Sequence, residues 1–292
     1  MIDMHMHTLY SDGDKTVEEL LKICEKNKLE YISITDHNNI KQYDDPALLN
    51  SFFGGKIIKG LEMDAIWKNR KIEILAYNIK NKDVIDNWNQ KFFSKEKLQK
   101  TQDEVRKKLL RVCDKNGLIY NKDNIKKDIP LTDYISVYIY QELIKHEQNI
   151  PILGELAESL AAFIRKGLLN PESEYCTILN DMPQPMYKEV IDTIHQAGGL
   201  AFLAHPFEYR FDNTIQFIDT LRAEKELDGI ECFHPSANED QMQILEEYAN
   251  THNLFISGGS DYHGSKKPDV NIAVGKGNLN ISKSYVEKWI TN

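Results

Sequence analysis

The chain has 292 residues, of which 41% are hydrophobic and 28% charged, and its formal net charge is −9. This composition is typical of a soluble globular protein and argues against a surface dedicated to coating nucleic acid. No run approaches the roughly 18 apolar residues of a membrane span and no signal peptide precedes the first motif, so we expect a cytoplasmic protein whose four scattered cysteines are reduced.

The first motif combines two histidines with an acidic turn. Residues 1–7 predict a short strand, and because side chains alternate along a strand, His5 and His7 leave the same face. Two adjacent imidazoles suit Zn²⁺, Mn²⁺ or Fe²⁺, and Asp12 in the following loop can add an oxygen. Since the chain has nine histidines, one such pair can also arise by chance, which leaves a strand-surface coincidence open.

Three further strands are predicted before residue 80, and each carries a side chain that can bind a metal. They cover residues 31–35, 57–61 and 71–76. The first is followed by Asp36 and His37, the second is followed by Glu62, and the third contains Glu73. Glu73 lies in a largely apolar run, where a carboxylate is costly unless it is paired or bound to a metal. The alternative is an edge-strand glutamate that faces water.

Between residues 86 and 180 the pattern changes to helices alone. Lys and Arg outnumber Asp and Glu between Lys91 and Asp128, and residues 152–169 predict one helix from their apolar spacing. We therefore predict an all-helical insertion domain over 86–180, inside a discontinuous catalytic domain formed by 1–85 and 181–292. The basic residues could face an anionic substrate, although a solvated helix face is the ordinary explanation.

Strand–helix alternation resumes near residue 186. Strands over residues 200–204, 229–233 and 254–257 are followed by His205, by His234, and by Asp261 with His263, and residues 272–274 predict a last short strand. Strands separated by helices imply a parallel sheet whose carboxyl ends share one side, where α/β barrels hold their chemistry. His146, His195 and His252 lie elsewhere and are assigned to the structural background.

The donors at these strand ends exceed the three or four ligands of a single catalytic Zn²⁺. We therefore predict two or three divalent metal ions, from Mn²⁺, Fe²⁺, Zn²⁺ and Mg²⁺. Metals a few ångströms apart can bridge a phosphate, generate hydroxide near neutral pH and stabilise the charge of an in-line displacement. The sequence contains no competing Ser–His–Asp or Cys–His arrangement, no P-loop and no GxGxxG motif.

These motifs resemble those of the PHP (polymerase and histidinol phosphatase) superfamily, and most of all its stand-alone bacterial branch that acts on nucleotide phosphates and RNA 5′ ends. The matching segments are His5-x-His7 with Ser11-Asp12-Gly13, Thr35-Asp36-His37-Asn38, Gly60-Leu61-Glu62, Ala204-His205-Pro206 and Gly259-Ser260-Asp261-Tyr262-His263-Gly264. The resemblance extends over residues 1–80 and 183–277. The resemblance implies an α/β fold, a distorted seven-stranded TIM-like β/α barrel, with a trinuclear metal site.

The resemblance also implies roles for individual residues. It implies metal ligation by His5, His7, Asp12, His37, Glu62, His205, Asp261 and His263, with Glu62 bridging, and it implies that Asp12, His37, Glu62 and His263 are catalytic. A water or hydroxide between the metals would be the nucleophile. Glu73 stands where this branch often has a histidine ligand, and a carboxylate there would favour Mn²⁺, Mg²⁺ or Fe²⁺ over Zn²⁺.

Candidates for substrate binding are fewer. Residues 133–140 of the insertion contain no arginine for a phosphate clamp, which leaves Arg165 in the insertion and Arg210 after His205. His234 either contacts substrate or metal, or only caps its strand.

We predict a metal-dependent phosphoesterase that hydrolyses a phosphate ester of a nucleotide or short oligonucleotide through a metal-bound hydroxide. It would be a 5′-nucleotidase, a 3′,5′-bisphosphate nucleotidase or a 5′-3′ exonuclease. The alternatives are a histidinol-phosphate or other small-metabolite phosphatase and, from a different class, a catalytically inert metal-binding regulatory protein. The expected partner is a phosphorylated small molecule or short oligonucleotide, with no stable nucleic-acid complex and no membrane. The oligomeric state stays open.

Overall fold

The computed structural model describes residues 1–126, 129–130, 133–178 and 184–290. The strands in these residues are β1 (Ile2–Asp3), β2 (Tyr31–Ile32), β3 (Lys56–Ile57), β4 (Gly60–Trp67), β5 (Arg70–Tyr77), β6 (Leu200–Leu203), β7 (Gly229–Phe233) and β8 (Phe255–Gly258). The helices are α1 (Val17–Lys26), α2 (Pro46–Phe52), α3 (Lys82–Phe93), α4 (Lys95–Lys115), α5 (Ile135–Leu143), α6 (Ile150–Leu153), α7 (Leu160–Ala162), α8 (Tyr187–Gln196), α9 (Thr214–Glu224), α10 (Glu239–Thr251) and α11 (Lys283–Glu287).

The strands form two sheets. β1, β2 and β3 form a parallel sheet, and β4 to β8 form a second sheet in which strands that follow one another in the chain are neighbours. β6, β7 and β8 are parallel, as the alternation of strands and helices predicts. The predicted mixed α/β class is therefore confirmed.

Backbone contacts join the two sheets. The N–H of Met4, just after β1, donates to the carbonyl oxygen of Gly258 in β8 at 3.2 Å. An isolated parallel bridge pairs His37, beyond β2, with Glu62 in β4. The segments that follow β1 and β2 therefore lie against the second sheet, and these segments carry the predicted site residues.

The expectation that all the strands run parallel is wrong at β5, which is antiparallel to β6. Only Lys68 and Asn69 separate β4 from β5, and both have positive φ, 45° and 60°. Two such residues in succession form a tight hairpin turn, which reverses the chain without a crossover helix. As a result the backbone of Glu73 lies beside the C-terminal end of β6, where the N–H of Ala204 donates to its carbonyl oxygen at 3.1 Å.

Two predicted strands differ in extent from those observed. Glu62 lies inside β4 and does not follow the end of a strand. Residues 272–274 do not form a strand, because Ala273 has φ +68° and the chain turns there, with an isolated antiparallel bridge between Asn271 and Gly275. A positive φ interrupts the extended backbone that a strand needs.

The single helix predicted over residues 152–169 is also wrong. α6 ends at Leu153 because Gly154 has φ +54°, outside the α-helical region. After a 3₁₀ turn and the short α7, residues Phe163–Leu168 form a π-helix. Apolar spacing indicates which side chains are buried but does not locate the interruptions of the backbone.

The chain divides into two compact units. The first consists of residues 1–65, 72–89 and 186–292, and the second of residues 66–71 and 90–185. Each has its own apolar core, formed around Tyr77, Phe202 and Trp289 in the first unit and around Leu109 and Phe163 in the second. The first unit is left at residue 89, three residues after the start predicted for the helical insertion at residue 86. The other predicted boundary, at residue 181, lies outside the described residues. None of the helices that the structure describes is long and apolar enough to cross a membrane.

Candidate metal centre

Side chains from distant parts of the sequence meet in one cluster in the first unit. The structure brings together all nine predicted metal ligands, His5, His7, Asp12, His37, Glu62, Glu73, His205, Asp261 and His263. Each belongs to a group of at least three side chains whose donor atoms lie within 4.8 Å of one another, and the groups overlap through shared histidines. The cluster is therefore continuous.

The ends of β1 and β8 position one side of the cluster. The N–H of Asp261 donates to the carbonyl oxygen of His5 at 2.8 Å, and the N–H of His7 donates to that of Tyr262 at 2.9 Å. A Cβ atom on Gly259 would lie 2.3 Å from the backbone nitrogen of His5, so only glycine permits this approach of the two chains. The pairing places the two histidines beside Asp261.

Glu62 lies at the centre of the cluster and its side chain is only 2% exposed. Four imidazole nitrogens surround its carboxylate: His205 Nε2 at 2.9 Å, His5 Nε2 at 3.2 Å, His7 Nε2 at 3.3 Å and His37 Nδ1 at 3.4 Å. Burial alone raises the pKa of the Glu62 carboxyl, but the charges of His5 and His37 and a hydrogen bond from His205 hold it well below its ordinary value. Glu62 is therefore ionised. It contacts four predicted ligands, whereas its own donor group contains only two others, His5 and His205.

The cluster is most open at Asp12, His37 and Glu73, whose side chains are 29%, 19% and 18% exposed. Asp12 Oδ1 lies 3.2 Å from His263 Nε2, and Asp12 Oδ2 lies 3.8 Å from His37 Nε2. Glu73 is neither an edge residue that faces water nor fully buried, and its Oε2 lies 3.4 Å from His205 Nε2. The cluster is therefore most accessible to solvent at these three residues.

The residues of the cluster fit divalent metal ions. His5 Nε2 and His7 Nε2 lie only 3.1 Å apart, so two nitrogens converge on one point. Among the described residues, the buried Nδ1 atom of His205 has no hydrogen-bond partner, and a buried polar atom without a partner is unfavourable. Imidazoles and carboxylates in this proportion are the donors that Mn²⁺, Fe²⁺ and Zn²⁺ bind.

The protonation of the cluster bears on metal uptake. Burial by itself lowers the pKa of His7, but hydrogen bonds with Asp261 and Glu62 raise it to about 9. Burial likewise lowers the pKa of His205, and its hydrogen bond with Glu62 raises it to about 10. Without metal, both imidazoles therefore carry protons at pH 7, and those protons balance the buried carboxylates.

We expect the binding of Mn²⁺ near pH 7 to release protons, because an imidazole must be neutral to act as a ligand. His7 and His205 lose their protons as the pH rises towards 9 and 10. The apparent affinity for Mn²⁺ should therefore increase with pH from 7 up to these values. Titration calorimetry in two buffers of different ionisation enthalpy measures the protons released. His252→Ala, outside the cluster, should leave their number unchanged, and an affinity independent of pH between 6 and 9 would contradict the assignment.

One residue that the sequence analysis did not select is Glu231, the third residue of β7, which is fully buried. Its Oε1 accepts a hydrogen bond from His5 Nδ1 at 2.9 Å, and its Oε2 accepts one from the backbone N–H of His205 at 2.8 Å. A glutamate in the apolar run Gly229–Phe233 was the available signal, since a buried carboxylate must be paired. Asp64, in a donor group with His37 and Glu73, was also missed.

The three residues predicted to bind substrate lie in different parts of the chain, and one of them lies in the cluster. His234 belongs to the cluster, with its Nε2 3.2 Å from Asp261 Oδ2 and its Nδ1 2.7 Å from Ser236 Oγ. Arg210 is exposed and follows the 3₁₀ turn that begins after His205. Arg165 is exposed on the π-helix of the second unit.

The three background histidines lie outside the cluster and have ordinary partners. His146 lies 3.4 Å from a carboxylate oxygen of Glu142 in the second unit. His195 pairs with Asp228 at 2.8 Å, and the ring of His252 packs on Tyr248.

Comparison with known proteins places the chain in a family. The model of the PHP domain family matches residues 3–260. A 5′-3′ exoribonuclease of Haemophilus influenzae is 26% identical over 98% of this chain and 97% of its own, and the 5′-3′ exoribonuclease Rnm of Escherichia coli K12 is 25% identical over 89% of this chain and 84% of its own. The crystal structure of a protein from Bifidobacterium adolescentis, described as a metal-dependent phosphoesterase, has a TM-score of 0.64 at 21% identity and covers 98% of this chain and 94% of its own, which shows a shared fold. The chain therefore belongs to the PHP domain family.

Proposed function

We propose that this chain, a metal-dependent hydrolase of phosphoric esters, removes nucleotides one at a time from the 5′ end of short RNA. The observation that carries the proposal is the convergence of the nine predicted ligands, five imidazoles and four carboxylates, in one cluster that is most exposed at Asp12 and His37. The two relatives named as 5′-3′ exoribonucleases support the choice of substrate, because they align with most of the chain.

We infer that the cluster holds two or three divalent ions. Of the five overlapping donor groups in the described residues, the three made up only of predicted ligands support this number: His7, Asp12, His37 and His263; His5, His7 and Asp261; and His5, Glu62 and His205. When bound, such ions neutralise phosphate charge and activate water for attack. The four carboxylates, Glu73 among them, favour Mn²⁺, Fe²⁺ or Mg²⁺ over Zn²⁺.

We further infer that the two sheets form one distorted barrel. The hydrogen bond between Met4 and Gly258 and the bridge between His37 and Glu62 support this, because they connect one sheet to the other. β3 and β4 are separated by only two residues, and counted as one bent strand they reduce the eight strands to the seven of the predicted barrel.

The residues of the chain would divide the work according to their exposure. Hydrolysis adds the oxygen of water to phosphorus and breaks the P–O3′ bond, so a proton must reach the departing O3′. Asp12 and His37 lie at the opening, where Asp12 would hold an ion beside the phosphate and His37 would carry the proton to the leaving oxygen. Glu62 and His263 lie deeper and would hold the ions, as would the remaining ligands. His263 is suited to this role because burial and the charge of His7 lower its pKa, and the neutral ring keeps a lone pair.

A panel of substrates tests the proposal. With Mn²⁺ present, we expect a 5′-phosphorylated RNA pentamer labelled at its 3′ end to shorten one nucleotide at a time, with release of 5′-mononucleotides. Nucleoside 3′,5′-bisphosphate, histidinol phosphate and p-nitrophenyl phosphate should be poorer substrates by kcat/KM. Faster hydrolysis of histidinol phosphate than of RNA would assign the chain to small-metabolite phosphatases. A metal-loaded protein inert to all four would favour a regulatory protein.

A further inference from the structure

Two large apolar side chains are exposed on the loop that carries Asp12. Leu9 is 57% exposed and Tyr10 is 48% exposed, although each large apolar residue gains free energy by burial. Both lie two to three residues after His7, a buried member of the cluster. An exposed aromatic side chain so close to a cluster of metal ligands has no role in the core of the first unit.

The loop is held in place by hydrogen bonds. The N–H of Leu9 donates to the carbonyl oxygen of Lys15 at 2.9 Å, and the N–H of Tyr10 donates to Thr8 Oγ1 at 3.2 Å. Thr8 is itself bound to the buried carboxylate of Asp36 through its N–H at 2.8 Å and its hydroxyl at 2.6 Å. The backbone under the two exposed side chains is therefore fixed before any ligand binds, which lowers the entropy lost on binding.

The loop is also tied to the open side of the cluster. The side-chain amide of Asn39 donates to the carbonyl oxygen of Tyr10 at 3.0 Å and to that of His37 at 2.9 Å. His37 and Asp12 are the two most exposed side chains among those of the cluster given above. The backbone of Tyr10 therefore lies beside the opening through which a phosphate would enter.

We propose that Leu9 and Tyr10 form a stacking surface for the base of the 5′-terminal nucleotide, the one whose O3′–P bond would be cleaved at the cluster. The proposal rests on the proposed function, because it requires a substrate that carries a base. A flat aromatic ring with an aliphatic neighbour binds any base through its π-face, without reading its identity. Two side chains are too small a patch for a protein partner, which needs an area about ten times larger. The surface thus suits an enzyme that accepts RNA of any sequence.

The test compares Tyr10→Ala and Tyr10→Phe on two RNA pentamers, one natural and one with an abasic residue at its 5′ end. We expect Tyr10→Ala to raise KM for the natural RNA about tenfold, within the range of about 5- to 150-fold that follows from loss of one stacked base. Tyr10→Phe should retain the wild-type KM, since it keeps the ring. On the abasic RNA, Tyr10→Ala and the wild type should have the same KM. Metal content should be unchanged in both variants.

Ile244→Ala on α10, which truncates another exposed apolar side chain of the first unit, serves as the matched control and should leave both KM values unchanged. The stacking surface is overturned if Tyr10→Ala has the wild-type KM on natural RNA. It is also overturned if Tyr10→Ala raises KM for the abasic RNA as much as for the natural RNA. A wild-type protein that hydrolyses other phosphate esters but neither RNA contradicts the proposed function itself, and with it the stacking surface.

Discussion

Replacement of Glu62 by glutamine is expected to lower kcat/KM by about 10³-fold, equivalent to roughly 4 kcal/mol of transition-state stabilisation. Its carboxylate lies within 3.4 Å of nitrogens from four histidines. An amide of the same shape carries no charge, and its nitrogen would face imidazole nitrogens that need an acceptor or a metal. We therefore also expect a lower metal content by elemental analysis. Asp261→Asn should act in the same direction, because Asp261 lies 3.5 Å or less from His5, His7, His234 and His263.

The control for Glu62→Gln is His252→Ala, which removes a histidine at the C-terminal end of α10. Its ring packs on Tyr248, outside the cluster, so activity and metal content should both stay at wild-type values. Circular dichroism would establish that each variant folds. An equal loss of activity at Glu62 and His252 would mean that the separation between cluster and background histidines is wrong.

The gathering of the cluster could be predicted from the sequence because its members follow buried strands. Parallel strands with helical crossovers have their carboxyl ends on one side of a sheet, so His205 and Asp261 were expected to meet although 55 residues separate them. The prediction needed only the position of each strand and not its exact length. It therefore survived a β1 of two residues, where seven had been predicted.

Features that depend on single backbone conformations could not be predicted in this way. The hairpin turn at Lys68-Asn69 makes β5 antiparallel, and Gly154 ends α6, yet the hydrophobic pattern is the same on either side of both. Glu73 shows how such an error can cancel. The sequence places Glu73 at the site as part of a fourth strand that was expected to be parallel to the others. The strand is in fact antiparallel to β6, and this reversed direction is what brings Glu73 to the site.

Glu231 was missed for a different reason, since it supports ligands without following a strand end. Its two carboxylate oxygens accept hydrogen bonds from the His5 ring and from the backbone of His205. The second bond holds His205 at φ +26°, a conformation that non-glycine residues rarely adopt. The first keeps a proton of His5 on Nδ1, so that Nε2, which faces Glu62 and His7, is the nitrogen that would lose its proton and bind a metal.

Glu231→Gln is therefore expected to lower the affinity for Mn²⁺ by about 10- to 100-fold, the usual effect of removing a group that orients a ligand histidine. Glutamine has one acceptor oxygen for two donors, so either His205 loses a partner for its N–H or His5 must turn its proton towards Nε2. In the second case the nitrogen that faces the cluster can no longer bind a metal. Titration calorimetry with Mn²⁺ measures the affinity, and circular dichroism confirms folding.

Asp228→Asn is the matched control for Glu231→Gln. Asp228 also accepts hydrogen bonds from a histidine, His195 at 2.8 Å, and from a backbone N–H of β6, that of Ala201 at 2.7 Å. The same chemical change is thus made beside the same kinds of partner, a histidine ring and a backbone N–H, outside the cluster, and the affinity for Mn²⁺ should not change. Because Glu231 orients ligands and does not bind the phosphate, excess Mn²⁺ should restore much of the kcat of Glu231→Gln, whereas it should not restore that of Glu62→Gln. Activity that stays lost when the metal sites are saturated would place Glu231 among the groups that contact the reacting atoms.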